Sequence, residues 1–493
     1  MQKSNLKYFL FALLIVAVLF SSCKKFVEIE APDTQVNGAN VYNNDATAIA
    51  VLTGMYSRIM DKSPFVSFAS GTRSLSLISG LSADEYSMFT GANAEMTAFY
   101  QNALLANPTT NIGTDYWNNF YDNIFYANTA IEGLTHSKGL TESVKQQLLG
   151  EAKFMRSFFY FYLVNLYGDV PLVLTTDYKI NTAVSRTAKT DVYLQIIKDL
   201  QEAQGLLSTD YLDGQLLKYG GTAERVRPTK WAAAALLARA YLYNGNLTGD
   251  ASNYTNAETQ ATSVINNTAL YDTTSLNGVF LKNSKEAIWQ LQPANSGRNT
   301  DDSRMFIVTT GFSDNTPVRL SDTLLNSFEL GDLRRKPKNW TDTIRIPAAT
   351  GALYYYPYKY KNNTAGITEY LMVIRLAEQY LIRAEARAQQ NKISETQADL
   401  NVIRKRAGLP STNSSDKNAL LAAILHERQV ELFSEWGQRW FDLKRTNTVD
   451  ALMSIITPIK ANGEAWKPYQ KLYPISYSEV QKGPNLTQTP GYQ

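Results

Sequence analysis

The sequence predicts a mainly α protein, in which a tetratricopeptide-like scaffold of helical pairs carries a loop-rich and partly β subdomain. Three observations lead there. Apolar residues recur three and four apart through most of the chain. Alanine-rich stretches come in helix-turn-helix pairs, where small side chains let helices approach closely. One segment, residues 268–365, breaks the helical pattern with Asn, Thr, Gly, Asp and Pro.

In chain order, the first stretch reads MQKSNLKYFLFALLIVAVLFSSCKK. Lys3 and Lys7 precede an apolar run from Phe9 to Phe20, and Ser21 and Ser22 close it. That is the basic start, apolar middle and small-residue end of a signal peptide, here residues 1–22. As a helix the apolar run spans about 18 Å, too short for a permanent membrane span. Cys23 is the only cysteine in 493 residues. Ser-Ser-Cys after such a run resembles the lipobox of bacterial lipoproteins, although Phe20 stands where an aliphatic residue is more usual. The resemblance implies lipid on Cys23 and a tether over residues 23–40.

Residues 45–60 follow as an amphipathic helix with Asp45 as its cap candidate, then 114–134 with Trp117, Phe120, Tyr121, Ile124 and Ala127 on one stripe. Residues 141–167 become apolar nearly all round between Phe158 and Leu166, which predicts burial on several sides. Two helical pairs come next, 228–246 with 253–267 and 370–392 with 394–410. The first starts near Pro228 and stops near Gly245. Between the pairs, 286–292 and 352–360 read as strands. A long irregular segment inside a helical domain points to function. The domain therefore divides into a scaffold, 41–267 and 366–493, and an insert of about 268–365.

Composition narrows the function. Lys and Arg number 48 against 45 for Asp and Glu, a balance that does not suit nucleic acid as the main partner. Aromatic residues make up 12% of the chain, with 30 Tyr, enough for some rings to lie on the surface. No phosphate loop, nucleophile elbow or zinc-protease helix occurs: His426 is followed by Glu427, but no second histidine completes the motif. No EF-hand spacing is present, so no metal or other cofactor is expected. Glu427, Glu431 and Glu435 recur every four residues, with Arg428, Arg439, Asp442 and Arg445 nearby, as on packed, ion-paired helices.

Five stretches carry a resemblance: EAKFMRSFFYFYLVNLYGDVPL (151–172), VIRLAEQYLIRAEA (373–386), LNVIRKRAGLP (400–410), ILHERQVELFSEWGQRWFDLKRT (424–446) and LYPISYSEVQKGPNLTQTPGY (472–492). They resemble, in order, the blocks of the SusD-like (RagB/SusD) family. The resemblance implies a lipoprotein on the outer face of a Bacteroidetes-type outer membrane. It further implies a binding protein with no catalytic step, which captures oligosaccharide for a TonB-dependent transporter of the SusC type. Some members of the family take peptides or other nutrients instead.

Sugar recognition asks for exposed aromatic faces against C–H surfaces and for side chains that hydrogen-bond hydroxyls, both on loops held by a rigid scaffold. Two stretches fit. Residues 80–102 supply Asp84, Tyr86, Phe89 and Asn93, and the insert supplies Arg298, Asn299, Phe306, Phe312 and Trp340. In the run Tyr354 to Tyr358, alternation in a strand sends neighbours to opposite faces, so at most half could share a surface, and the resemblance to the family around YPYKY implies that they are structural. A glycoside hydrolase using carboxylates among Asp84, Glu85, Asp301 and Asp302 is the enzymatic alternative, since such pairs have no local motif. A helical adaptor without a ligand is the structural one.

Overall fold

The computed structural model describes residues 41–60, 75–89, 91–294, 297, 299–348 and 350–492. The signal peptide, Cys23 and the tether lie outside the described residues, as does Arg298. The chain opens with α1 (Asp45–Met60), α2 (Leu75–Ser82), β1 (Tyr86–Met88) and α3 (Ala94–Gln101), followed by a small hairpin of β2 (Leu105–Ala106) and β3 (Asn111–Ile112). Next come α4 (Asp115–His136), α5 (Glu142–Tyr167), β4 (Val170–Pro171), α6 (Tyr178–Asn181), β5 (Arg186–Thr187) and α7 (Lys189–Leu206). Then α8 (Lys230–Thr248) and α9 (Ala251–Ile265) form a pair. The insert holds β6 (Ala287–Leu291), α10 (Asp301–Phe306), β7 (Val318–Leu320), α11 (Asp322–Ser327), β8 (Thr341–Ile346) and β9 (Ala352–Pro357). Finally β10 (Leu371–Arg375) runs directly into α12 (Leu376–Gln389), followed by α13 (Ile393–Arg406), α14 (Lys417–Glu431), α15 (Gln438–Arg445), α16 (Val449–Lys460) and α17 (Tyr477–Lys482).

The structure is mainly helical, and the helices α4, α5, α7, α8, α9, α12 and α13 each pack on the next. Small side chains allow that spacing: Ala232 to Ala235, Ala238 and Ala240 of α8 are all fully buried. From Phe154 to Tyr167 every residue of α5 is buried, as its all-round apolar pattern requires. Charged side chains left inside find ionic partners at several helix contacts, since an unpaired buried charge is costly. Arg156 of α5 grips Asp199 of α7 with two bonds of 2.7 Å and reaches Asn128 of α4 at 3.0 Å. Arg239 of α8 holds Glu378 of α12 with two bonds of 2.6 Å.

One cluster ties the insert to this scaffold. Glu431, at the end of α14, accepts hydrogen bonds from Arg375 at 2.6 Å, from Arg334 at 2.9 Å and from Arg406. Arg334 comes from the insert, where Asp332 holds it at 2.7 Å, and it also reaches Glu427 at 2.6 Å. Glu435 takes Lys359 of the insert at 2.5 Å and Arg375 at 2.7 Å. The ring of Trp340 lies against this charge: Lys359, Arg406 and Arg375 stand 4.7, 5.4 and 5.5 Å from its centroid. Burial alone would raise the Glu431 carboxyl, but Arg406, Arg375 and Arg334 outweigh it and hold it well below the usual carboxylate range.

Three local expectations change. Residues 371–375 form a strand: Leu371 to Arg375 is buried throughout and pairs antiparallel with β6, and a short apolar run with Val373 and Ile374 suits a buried strand as well as a helix. Asp45 does not cap its own helix; Asn44 accepts from Ala46 N–H at 2.9 Å there. Asp45 instead accepts from the Thr141 N–H at 2.9 Å and hydroxyl at 2.7 Å, tying the start of α5 to the start of α1. Gly245 is not the stop of α8, which continues to Thr248 and ends on Gly249 at φ 74°. Gly245 is a contact point, where a side chain would stand 2.9 Å from the Tyr254 ring of α9.

Replacing Glu431 with Gln leaves three buried guanidinium groups short of one carboxylate. The expected loss is about 3–5 kcal/mol of folding stability, read from urea unfolding. Because the Glu431 carboxyl is depressed in the fold, its contribution is present at neutral pH and fades as pH falls below about 4.5, a dependence the variant should lack.

Candidate functional site

The two stretches selected from the sequence meet in space. β1, within residues 80–102, pairs antiparallel with β7 of the insert, Tyr86 opposite Leu320 and Met88 opposite Val318. Beyond the paired strands, Phe89 N–H donates to Pro317 O at 3.1 Å and Asn93 N–H donates to an Asp314 carboxylate oxygen at 3.1 Å.

Five of the selected side chains nevertheless face inward. Asp84 is buried in a two-bond ion pair with Arg439, both bonds 2.8 Å. Tyr86 packs into the space that Gly80 leaves open, where a Cβ would come within 2.3 Å of the ring, and its other neighbour is Phe306 at 5.6 Å. Phe306 is buried with it. Asn299 is a backbone clip: it donates to Thr364 O at 3.0 Å and Gly366 O at 2.8 Å and accepts from Thr368 N–H at 3.0 Å. Trp340 is 0% exposed and donates its indole N–H to Leu276 O at 2.8 Å. The expectation that these five contact ligand is corrected: each is buried and occupied by partners inside the protein. Sequence shows residue type but not which way a loop side chain points.

Three remain at the surface, all half-buried: Phe89, Asn93 and Phe312. Asn93 caps α3 by accepting from Met96 N–H at 2.9 Å. Phe312 stands edge-on to Tyr354 of β9, with ring centroids 5.5 Å apart and planes at 82°. Arg319 lies over the same tyrosine at 5.2 Å. Tyr354, Arg319 and Asp314 are therefore the members that sequence reasoning left out. Tyr354 shares its face of β9 with Tyr356, yet Tyr356 is buried and Tyr354 half-buried, a difference that strand alternation does not encode. The result is a shallow surface on which an aromatic pair is flanked by one cation, one carboxylate and a helix-capping amide.

The carboxylates considered for hydrolysis do not form an open pair. Asp84 is committed to Arg439, and Glu85 and Asp302 are buried. Burial, with Asp84 beside it, pushes the Glu85 carboxyl up to about 8, and burial, with Asp301 beside it, pushes Asp302 up to about 8. Among the described residues no group of three or more His, Cys, Asp or Glu side chains could hold a metal ion.

A helical-pair scaffold that holds a loop-built aromatic surface is the architecture of a binding protein. The SusD family profile matches residues 338–492, and a second profile, described as starch-binding and associating with the outer membrane, matches 41–242. This chain belongs to the SusD-like family. Neither profile covers 243–337, which includes Phe312 and Arg319. A SusD-like protein of Bacteroides ovatus is 26% identical over 87% of this chain and 80% of its own length. The crystal structure of a SusD superfamily protein from Parabacteroides distasonis covers 90% of this chain and 99% of its own, with a TM-score of 0.74 at 24% identity. A laminarin-binding SusD-like protein covers 92% of this chain and 100% of its own, with a TM-score of 0.73 at 23% identity.

Two outcomes follow from the inward-facing residues. Trp340→Ala should cost about 3–5 kcal/mol in stability through the cavity it opens, so its effect will appear in thermal melting before any binding assay. Asp302→Asn should do the opposite. The folded chain keeps Asp302 protonated while the unfolded chain releases that proton, so the native state loses stability as pH rises from about 4 to about 8. The melting temperature of Asp302→Asn should therefore gain on the unaltered chain across that range and level off above it.

Proposed function

We propose that this chain is a cell-surface glycan-binding lipoprotein, anchored to the outer membrane through Cys23, that captures oligosaccharide and passes it to a SusC-like TonB-dependent transporter. The Phe312–Tyr354 pair carries the reading. It offers aromatic surface to the C–H face of a pyranose, with Arg319 and Asp314 beside it for hydroxyl groups. In this reading the insert of about 268–365 is the ligand-binding part and the helical scaffold its support. Phe89, Asn93 and Arg298 remain assigned to the site with Phe312. Membership of the SusD-like family, together with a laminarin-binding structural relative, supports a glycan as the ligand.

The mechanism is equilibrium capture, without chemistry on the sugar. A shallow surface binds a polymer segment without enclosing it, so release to the transporter needs no large rearrangement of the helical frame. Laminarin and soluble starch are the first probes, tested by affinity electrophoresis. Replacing Phe312 and Tyr354 together with Ala should weaken retention by about 5- to 150-fold, the sum of two stacking contributions of about 0.5–1.5 kcal/mol each. Both residues are half-buried, so melting temperature should change little. Retention equal to that of the unaltered chain would remove the site; binding of peptides alone would replace the glycan by a peptide.

A further inference from the structure

A second concave surface lies away from the joined loops, between the start of α4, the strand-and-loop segment 171–184 around α6, and the chain from α17 to Leu486. It is a cleft of about 620 Å³. Trp117 and Tyr121 lie along it, their ring centroids 4.8 Å apart. Phe125 and Tyr178 line the same cleft and are unusually open for aromatic residues, 48% and 70% exposed. Asn118, Asp122 and Glu479 add an amide and two carboxylates to the lining.

The walls are fixed before any ligand arrives. Tyr121 donates its hydroxyl to Pro171 O at 2.8 Å, and Tyr160 donates to Val173 O at 2.8 Å. Glu132 accepts from the Thr176 N–H at 2.9 Å. On the far side, Asn485 donates to Ala183 O at 2.7 Å, tying the C-terminal stretch to the same segment. A cleft held open in this way loses little conformational freedom when it is filled.

We infer that this cleft is a second carbohydrate subsite, with Phe125 and Tyr178 covering pyranose faces and Asn118, Asp122 and Glu479 accepting or donating to hydroxyl groups. The inference rests on the glycan-binding reading above but on none of the residues of the loop surface. Amides and carboxylates set among open aromatic rings match a sugar, which alternates C–H faces with hydroxyl rims. A protein-docking patch would present a broader continuous apolar area with a depleted charge at its centre.

The test measures affinity of the full chain for laminarin and for soluble starch by affinity electrophoresis. Replacing Phe125 and Tyr178 together with Ala should weaken binding of the retained polysaccharide by about tenfold. The pair Phe125→Tyr and Tyr178→Phe, which keeps both rings, should restore it. Unchanged affinity in the alanine pair overturns the subsite, and the loop surface then stands or falls on Phe312 and Tyr354 alone. Unchanged glycan affinity with lost co-purification of the transporter also overturns it, assigning the cleft to protein docking. If neither polysaccharide retains the unaltered chain, the glycan reading fails and the subsite fails with it.

Discussion

The structure depends on one carboxylate and the guanidinium groups around it. Glu431 ends α14 inside the protein, where water cannot solvate it, and three arginines from separate parts of the chain converge on it. Arg375 and Arg406 belong to the scaffold, and Arg334 to the insert. Together with Glu427 and Glu435, which hold Arg334 and Lys359, this arrangement fastens an irregular segment to a helical frame with charge rather than with regular sheet. Trp340 seals the apolar side of the cluster. Such a cluster is unforgiving: each group is satisfied only while the others are in place.

That fastening explains how the proposed binding surface can rest on loops. The insert is clamped from beneath by Arg334 and Lys359, closed on itself by Asn299, and joined to the N-terminal part by the β1–β7 pairing. What remains outside is a thin layer, in which Phe312, Tyr354 and Arg319 can change without disturbing the clamps. The family profiles match 41–242 and 338–492, which include Tyr354 and most of the scaffold helices, and leave 243–337 unmatched, which includes Phe312, Arg319 and the clamp residue Arg334.

The helices were legible because their periodicity is long and repeated. Residues 45–60 coincide with α1, and the all-round apolar stretch of α5 is buried as its pattern demands. The loop-rich character of 268–365 was legible from composition. Within it, direction was not. Asp84, Tyr86, Asn299, Phe306 and Trp340 have the residue types of a sugar site, but their partners are distant: Arg439 for Asp84, Phe306 and Tyr86 for each other, the 364–369 backbone for Asn299 and Leu276 for Trp340. A partner tens to hundreds of residues away leaves no local pattern. The same limit applies to Glu431. Its four-residue spacing from Glu427 and Glu435 pointed to ion pairing, while Arg334, Arg375 and Arg406 could be found only in the fold.

The central claim is capture of a glycan without turnover. The measurement that addresses it most directly mixes the purified chain with laminarin and with soluble starch, separates the bound fraction, and determines the chain-length distribution and reducing ends of the recovered polysaccharide. The account predicts that one of the two is retained and recovered at its original length with no new reducing ends. Retention of neither would contradict the capture, and shortened products would contradict the absence of chemistry.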